Sequence, residues 1–145
     1  MKKIAMSIAT AIVGVLLGAA SVYGQTMKAD IPFAFQASNE TLPAGQYEVS
    51  TRNAVANTIT VRNRESKQAL VALTHKAQSK QTPEVSKLIF RRYGNQYFLA
   101  QIFVAGNTEG TELAKTKAER RLIKAQRDHL AHNSAPELVA IVAGQ

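Results

Sequence analysis

SKLIFRRYGNQYFLAQIF, residues 86–103, decides how the chain is built. Two apolar runs flank Gly94-Asn95, and a glycine there supplies the positive φ that a two-residue hairpin turn needs. Such a turn sets Arg92 opposite Tyr97, Arg91 opposite Phe98 and Phe90 opposite Leu99. One face then carries Leu88, Phe90, Arg92, Tyr97, Leu99 and Phe103, and the other Ile89, Arg91, Tyr93, Phe98, Ile102 and Val104. Both faces are largely apolar away from the turn, which predicts a hairpin in the middle of the fold with material on each side. Stacking of Arg91 or Arg92 on Phe98 or Tyr97 is the expected cross-strand contact and needs no ligand. A platform for nucleic acid or sugar would need two or three rings open on one face. Phe90, Phe98 and Phe103 read as core, so the hairpin is structural.

Upstream, the pattern is that of short strands. In KADIPFAF, Pro32 cannot donate a ladder hydrogen bond, which places this strand at a sheet edge or start. LPAGQYEVSTR has a turn at Pro43-Ala44-Gly45 and then an alternation of Tyr47, Val49 and Thr51 with Glu48, Ser50 and Arg52, a half-buried strand. NTITVRN repeats the alternation, and RESKQ is a polar turn. ALVALTHK is apolar on both faces and predicts a central strand. AQSKQTPEVS reads as a polar loop.

Downstream, AGNTEGTEL reads as a glycine-rich connection, after which the period changes. Thr116 and Glu119 form an S/T-x-x-E capping box, which starts a helix near Lys117 and carries it to about His132. At 100° per residue, Lys117, Arg120, Arg121, Lys124 and Arg127 fall within an arc of about 120°. Leu122, Ile123 and Leu130 lie on the other side, a thin apolar anchor. Leu138–Ala143 is an apolar run that adds a last strand to the sheet.

The first residues read as a secretory signal peptide. Lys2-Lys3 precedes a mostly apolar run from Ile4 to Ala20, shorter than the roughly 20 apolar residues of a membrane span, and small residues lead to a cut after Gly24. The boundaries expected are therefore 1–24 signal peptide, 25–107 β-domain, and 108–145 connection, basic helix and apolar tail of the same domain. With Lys2 and Lys3 removed from the 18 basic residues, 16 face 10 acids, a net +6. A basic exported chain is drawn to anionic surfaces. With no cysteine, neither a disulfide nor a lipid-anchored lipoprotein is available to it.

Catalytic patterns are missing. There is no phosphate-cradling glycine loop, no G-x-S-x-G elbow and no H-E-x-x-H helix. His129 and His132 stand three apart without a third metal ligand, and Asp30 and Asp128 are the only aspartates. Glu109 and Glu112 lie in the glycine-rich connection, a mobile setting for a paired acid and base. The expectation is a protein that is not an enzyme, with no catalytic residue, metal or cofactor.

ADIPFAF, LPAGQYEVS, SKLIFRRYGNQYFLAQI and ELAKTKAERRL, spread over Ala29 to Ala125, together resemble a group of small exported β-rich proteins of soil bacteria for which no activity is established. The resemblance implies an exported β-rich domain and transfers no site residues. LPAGQYEV is also similar to one turn and strand of transthyretin-like and collagen-adhesin-B-like sandwich modules.

These readings combine into a mainly β protein: a single antiparallel β-sandwich or open barrel of about six strands, with one C-terminal basic helix. The expected function is that of an exported, periplasmic or secreted, non-enzymatic interaction module. It would associate with anionic cell-envelope components through Lys117, Arg120, Arg121, Lys124 and Arg127, with Arg91 and Arg92 at the hairpin tip as a second set. No specific nucleic acid and no membrane span after cleavage are expected, and the oligomeric state is left open. The alternatives are a small-ligand-binding β-barrel with one enclosed apolar pocket, or a hydrolase whose residues converge only in space.

Overall fold

The structure, a computed structural model, describes residues 25–53, 57–129 and 135–145; the signal segment, Leu130 and His132 lie outside the described residues. The described residues are mainly β with one helix, and among them are ten strands instead of about six. They are β1 (Thr26–Ile31), β2 (Phe35–Ala37), β3 (Glu40–Leu42), β4 (Gly45–Asn53), β5 (Thr58–Asn63), β6 (Ala69–Gln78), β7 (Ser86–Tyr93), β8 (Gln96–Phe103), β9 (Glu109–Leu113) and β10 (Glu137–Ala143), with α1 (Lys117–His129) between the last two. The pairing runs β1-β4-β5-β6-β9-β8, and β8 carries β7, which carries β10. The sheet is open. Its two ends meet at one antiparallel bridge, where Lys28 and Gly144 exchange backbone hydrogen bonds of 2.7 and 2.8 Å.

Three of the additional strands, β2, β3 and β9, arise in two stretches, and the apolar tail supplies β10. KADIPFAF breaks at Pro32, whose missing N–H ends β1, and the chain resumes as β2 and β3. The stretch predicted as a glycine-rich connection contains β9, which lies between β6 and β8 and pairs with both. Glycine and glutamate have low strand propensity, and here the hydrogen-bonding edges of two long neighbours override it. β2 also departs from an all-antiparallel sheet, since Gln36 pairs Phe98 of β8 in parallel.

The hairpin forms with the expected register: Arg92 opposite Tyr97, Arg91 opposite Phe98, Phe90 opposite Leu99. Gly94 has φ +62 and Asn95 keeps an ordinary negative φ, the geometry of a turn with glycine at its first central position. Arg92 lies 5.5 Å from the Tyr97 ring centroid, the expected cation–aromatic contact. One feature overturns the predicted faces. Ile89 pairs Gln101 while Phe90 pairs Leu99, so Ala100 is a bulge and the alternation of β8 flips beyond it. Ile102 thereby sits opposite Leu88 in the core, and Phe103 moves to the other side, opposite Lys87.

The core lies on the inner side of the sheet, where Phe35, Tyr47, Ile59, Leu88, Phe90 and Ile102 are buried together. Phe35 packs edge-on against both Tyr47 and Phe90, and Phe33 stacks on Tyr97 at 3.8 Å. The Tyr47 hydroxyl donates to the Pro43 carbonyl at 2.6 Å, so this buried ring keeps its phenol satisfied. β6 is interior to the pairing order, as expected, but the prediction of two covered faces fails: Val71 and Leu73 are 62% and 72% exposed. The one helix lies against the hairpin, and nothing among the described residues covers that side of β6.

Phe103 also explains Gly110. The two residues are cross-strand partners, and a Cβ on Gly110 would sit 2.4 Å from the Phe103 ring and 2.7 Å from the Ile102 carbonyl oxygen. Gly110→Ala is therefore expected to lose about 1–3 kcal/mol by overpacking, read as a lower urea midpoint at unchanged m-value. An unchanged midpoint would contradict this packing.

Candidate functional site

The helix begins where its cap predicts. The Thr116 Oγ1 accepts from the Glu119 N–H at 3.1 Å, and the Thr116 carbonyl accepts from Arg120 N–H at 3.0 Å. The second half of the capping box does not form, because the Glu119 carboxylate is used elsewhere. Glu119 is fully buried. Its Oε1 accepts from Arg91 Nε at 2.5 Å and from the Tyr93 hydroxyl at 3.0 Å, while its Oε2 accepts from Arg91 Nη2 at 3.2 Å. Arg91 also stands 3.7 Å from the half-exposed Glu112 of β9. One side-chain network thus joins the hairpin, β9 and α1.

Magnitudes show what holds the helix down. A 13-residue helix is marginal alone in water. Its apolar contacts are Leu122 and Ile123, both only half-buried, worth together about 1.5–3 kcal/mol. Removing one partner of a buried, bidentate arginine–carboxylate pair costs about 3–5 kcal/mol. Losing one partner of this polar pin therefore costs more than losing the apolar anchor, because it strands a buried charge. The inward face is Glu119, Leu122, Ile123 and Gln126, spaced i, i+3, i+4, i+7, with a carboxylate in its first position.

Facing away from the pin, Lys117, Arg120, Arg121, Lys124 and Arg127 are all exposed on one helix face. Four of them, Lys117, Arg120, Arg121 and Lys124, line a shallow depression. Arg120 Nη1 donates to the Lys115 carbonyl at 2.9 Å, and among the described residues none of the five is ion-paired. Asp128 shares the arc near its C-terminal end and subtracts one charge from it.

The second set divides. Arg92 is partly exposed, paired with Glu137 at 3.1 Å and donating to the Gly94 carbonyl at 2.7 Å. Arg91 is not at the hairpin's surface: it is 7% exposed, with its guanidinium committed to Glu119. Arg91 and Arg92 are therefore on opposite sides of the hairpin and do not join the helix stripe. Glu109 and Glu112, expected in a mobile connection, sit instead in β9, and the alternation of the strand turns them to opposite faces. His129 closes α1. Reasoning from sequence missed Glu119 and Glu112 as partners of Arg91, and Tyr93 as a donor to Glu119; the one available signal was a carboxylate at the first position of the helix's inward face.

The environment of Tyr93 follows from the network. Its phenol is pushed up from 10.0 to about 12, first by burial, then by the charge of Glu119 and the hydrogen bond to it, with Arg91 pulling the other way. No family model, curated protein or solved structure matches this chain.

Two outcomes are expected. Glu119→Leu strands the Arg91 charge and costs about 3–5 kcal/mol in urea unfolding, whereas Arg91→Met with Glu119→Leu costs less than either single change. A single-variant loss under about 1 kcal/mol would refute the pin. For Tyr93, the folded-state value lies above the unfolded one, so its contribution to stability is complete below pH 10.0 and is lost as pH rises toward about 12. An alkaline absorbance titration, differenced against Tyr93→Phe, should show that transition and show it at lower pH in Glu119→Gln.

Proposed function

We propose that the protein is an exported, non-enzymatic interaction module that docks on the anionic surface of the cell envelope through the outward face of α1. The observation that carries this reading is the arrangement of charge. Five exposed cations share one face of a helix whose opposite face is held by a single buried carboxylate. Fixing the helix by Glu119 orients the stripe without spending any of its cations on internal ion pairs. A rigid row of cations attracts a polyanionic surface over about one Debye length, roughly 10 Å at 0.1 M salt. A stripe that lacks Trp and Phe is suited to resting on charged headgroups or acidic glycans, not to insertion among acyl chains.

Export rests on the Lys2-Lys3 and Ile4–Ala20 layout, and on the resemblance to exported β-rich proteins. The same reading takes the sheet as an open barrel. Its interior is filled by Phe35, Tyr47, Phe90 and Ile102, which favours a scaffold that presents a surface over one that encloses an apolar ligand.

Co-sedimentation of the purified protein with envelope fragments tests the reading. Binding should fade between about 50 and 200 mM salt and be lost in the Arg120→Gln, Arg121→Gln, Lys124→Gln triple variant, all three residues being exposed. Absence of binding at low salt, or a triple variant that binds like the parent, refutes it.

A further inference from the structure

A second site lies at the other character of surface in this molecule, a groove at one open end of the sheet. β6 pairs β5 through Ala69–Leu73 and β9 through Thr74–Gln78, so the two neighbours do not overlap along it. The start of β5, the middle of β6, the end of β8 and the start of β9 line a half-open hollow of about 210 Å³. That is the volume of about seven waters, the size of one small molecule. Ile59, Ile102 and Val104 floor it, and Thr58, Thr74 and Thr111 line it as well.

The charges at its rim set the chemistry. Lys76 and Glu109 both line the hollow. Lys76 pairs Thr111 across β6 and β9, and Glu109 lies two residues before Thr111, so the three share one face of the sheet. Diagonal neighbours of this kind stand about 7–8 Å apart. No ion pair joins Lys76 to Glu109, and neither has another ion-pair partner among the described residues. One cation and one anion thus line the same small hollow without forming an ion pair, above an apolar floor and among hydroxyl-bearing residues. A ligand complementary to all three features carries a carboxylate and an ammonium group close together, with a small apolar side chain.

We propose that this groove binds a free α-amino acid with a small apolar side chain. Lys76 receives the carboxylate, Glu109 receives the ammonium group, and the Ile59–Ile102–Val104 floor takes the side chain. The site is independent of the helix stripe, so either reading can fail without the other.

The test is an amide NMR titration of the purified protein with L-alanine, N-acetyl-alanine, alanine amide and tri-alanine. L-Alanine should give saturable shifts at Thr58, Thr74 and Thr111. N-acetyl-alanine, which lacks the ammonium group, and alanine amide, which lacks the carboxylate, should each bind at least about tenfold more weakly, the equivalent of losing one charge contact. Lys76→Met and Glu109→Gln change exposed side chains and should leave the thermal midpoint in place while weakening alanine about tenfold. Lys76→Met should leave alanine amide unaffected, and Glu109→Gln should leave N-acetyl-alanine unaffected. Three results overturn the proposal: no saturable shift in the groove up to about 50 mM alanine, far weaker than the millimolar range of a small ligand; N-acetyl-alanine or alanine amide binding as tightly as alanine; or tri-alanine binding more tightly than alanine.

Discussion

A single buried carboxylate ties the helix of this molecule to its sheet. Glu119 accepts two hydrogen bonds from Arg91 and one from Tyr93, all of them out of water. Two charges taken from water are stable there only when geometry is good and remaining polar atoms are satisfied, and both conditions hold: the pair is bidentate, and among the described residues no buried side-chain polar atom lacks a partner. The pair also solves a specific problem. A short helix with two half-buried apolar side chains has little reason to stay on a sheet, and the carboxylate gives it one position and one rotation.

That rotation matters for the surface. With Glu119 facing inward, the 100° step of the helix carries Lys117, Arg120, Arg121, Lys124 and Arg127 outward as a group. The polar interior and the basic exterior are two consequences of one placement. The hairpin beneath is built to receive it: Arg91 and Tyr93 share the face of β7 that the helix covers, while Leu88 and Phe90 on the other face fill the core. Ala100 makes this division possible, because its bulge returns Ile102 to the core and turns Phe103 across Gly110.

The two surfaces that remain differ in kind. The helix stripe is shallow, predominantly basic and broad, which suits an extended anionic partner. The groove beside β6 is concave, of mixed charge, and small, which suits a compact dipolar one. The groove arises where the sheet ends, and not from any motif in the chain.

Much of the local structure is legible in the sequence. A two-residue Gly94-Asn95 turn has few ways to pair its strands, so the register near the turn follows from composition, as do the cap at Thr116 and the angular grouping of the five cations. These depend on residues a few positions apart, and short-range sterics determine them. The partnership of Arg91 with Glu119 spans 28 residues, and nothing in either neighbourhood announces it. Likewise β9, with its glycine and two glutamates, becomes a strand only because β6 and β8 leave a gap with open hydrogen-bonding edges. The bulge at Ala100, the bare face of Val71 and Leu73, and the approach of Lys76 to Glu109 are of the same kind. The sequence by itself determined most of the elements and the charge each one carries; the tertiary structure decided the rest, and which charges are buried, which are spent on one another and which are left to face solvent, because desolvation and pairing depend on neighbours that only folding supplies.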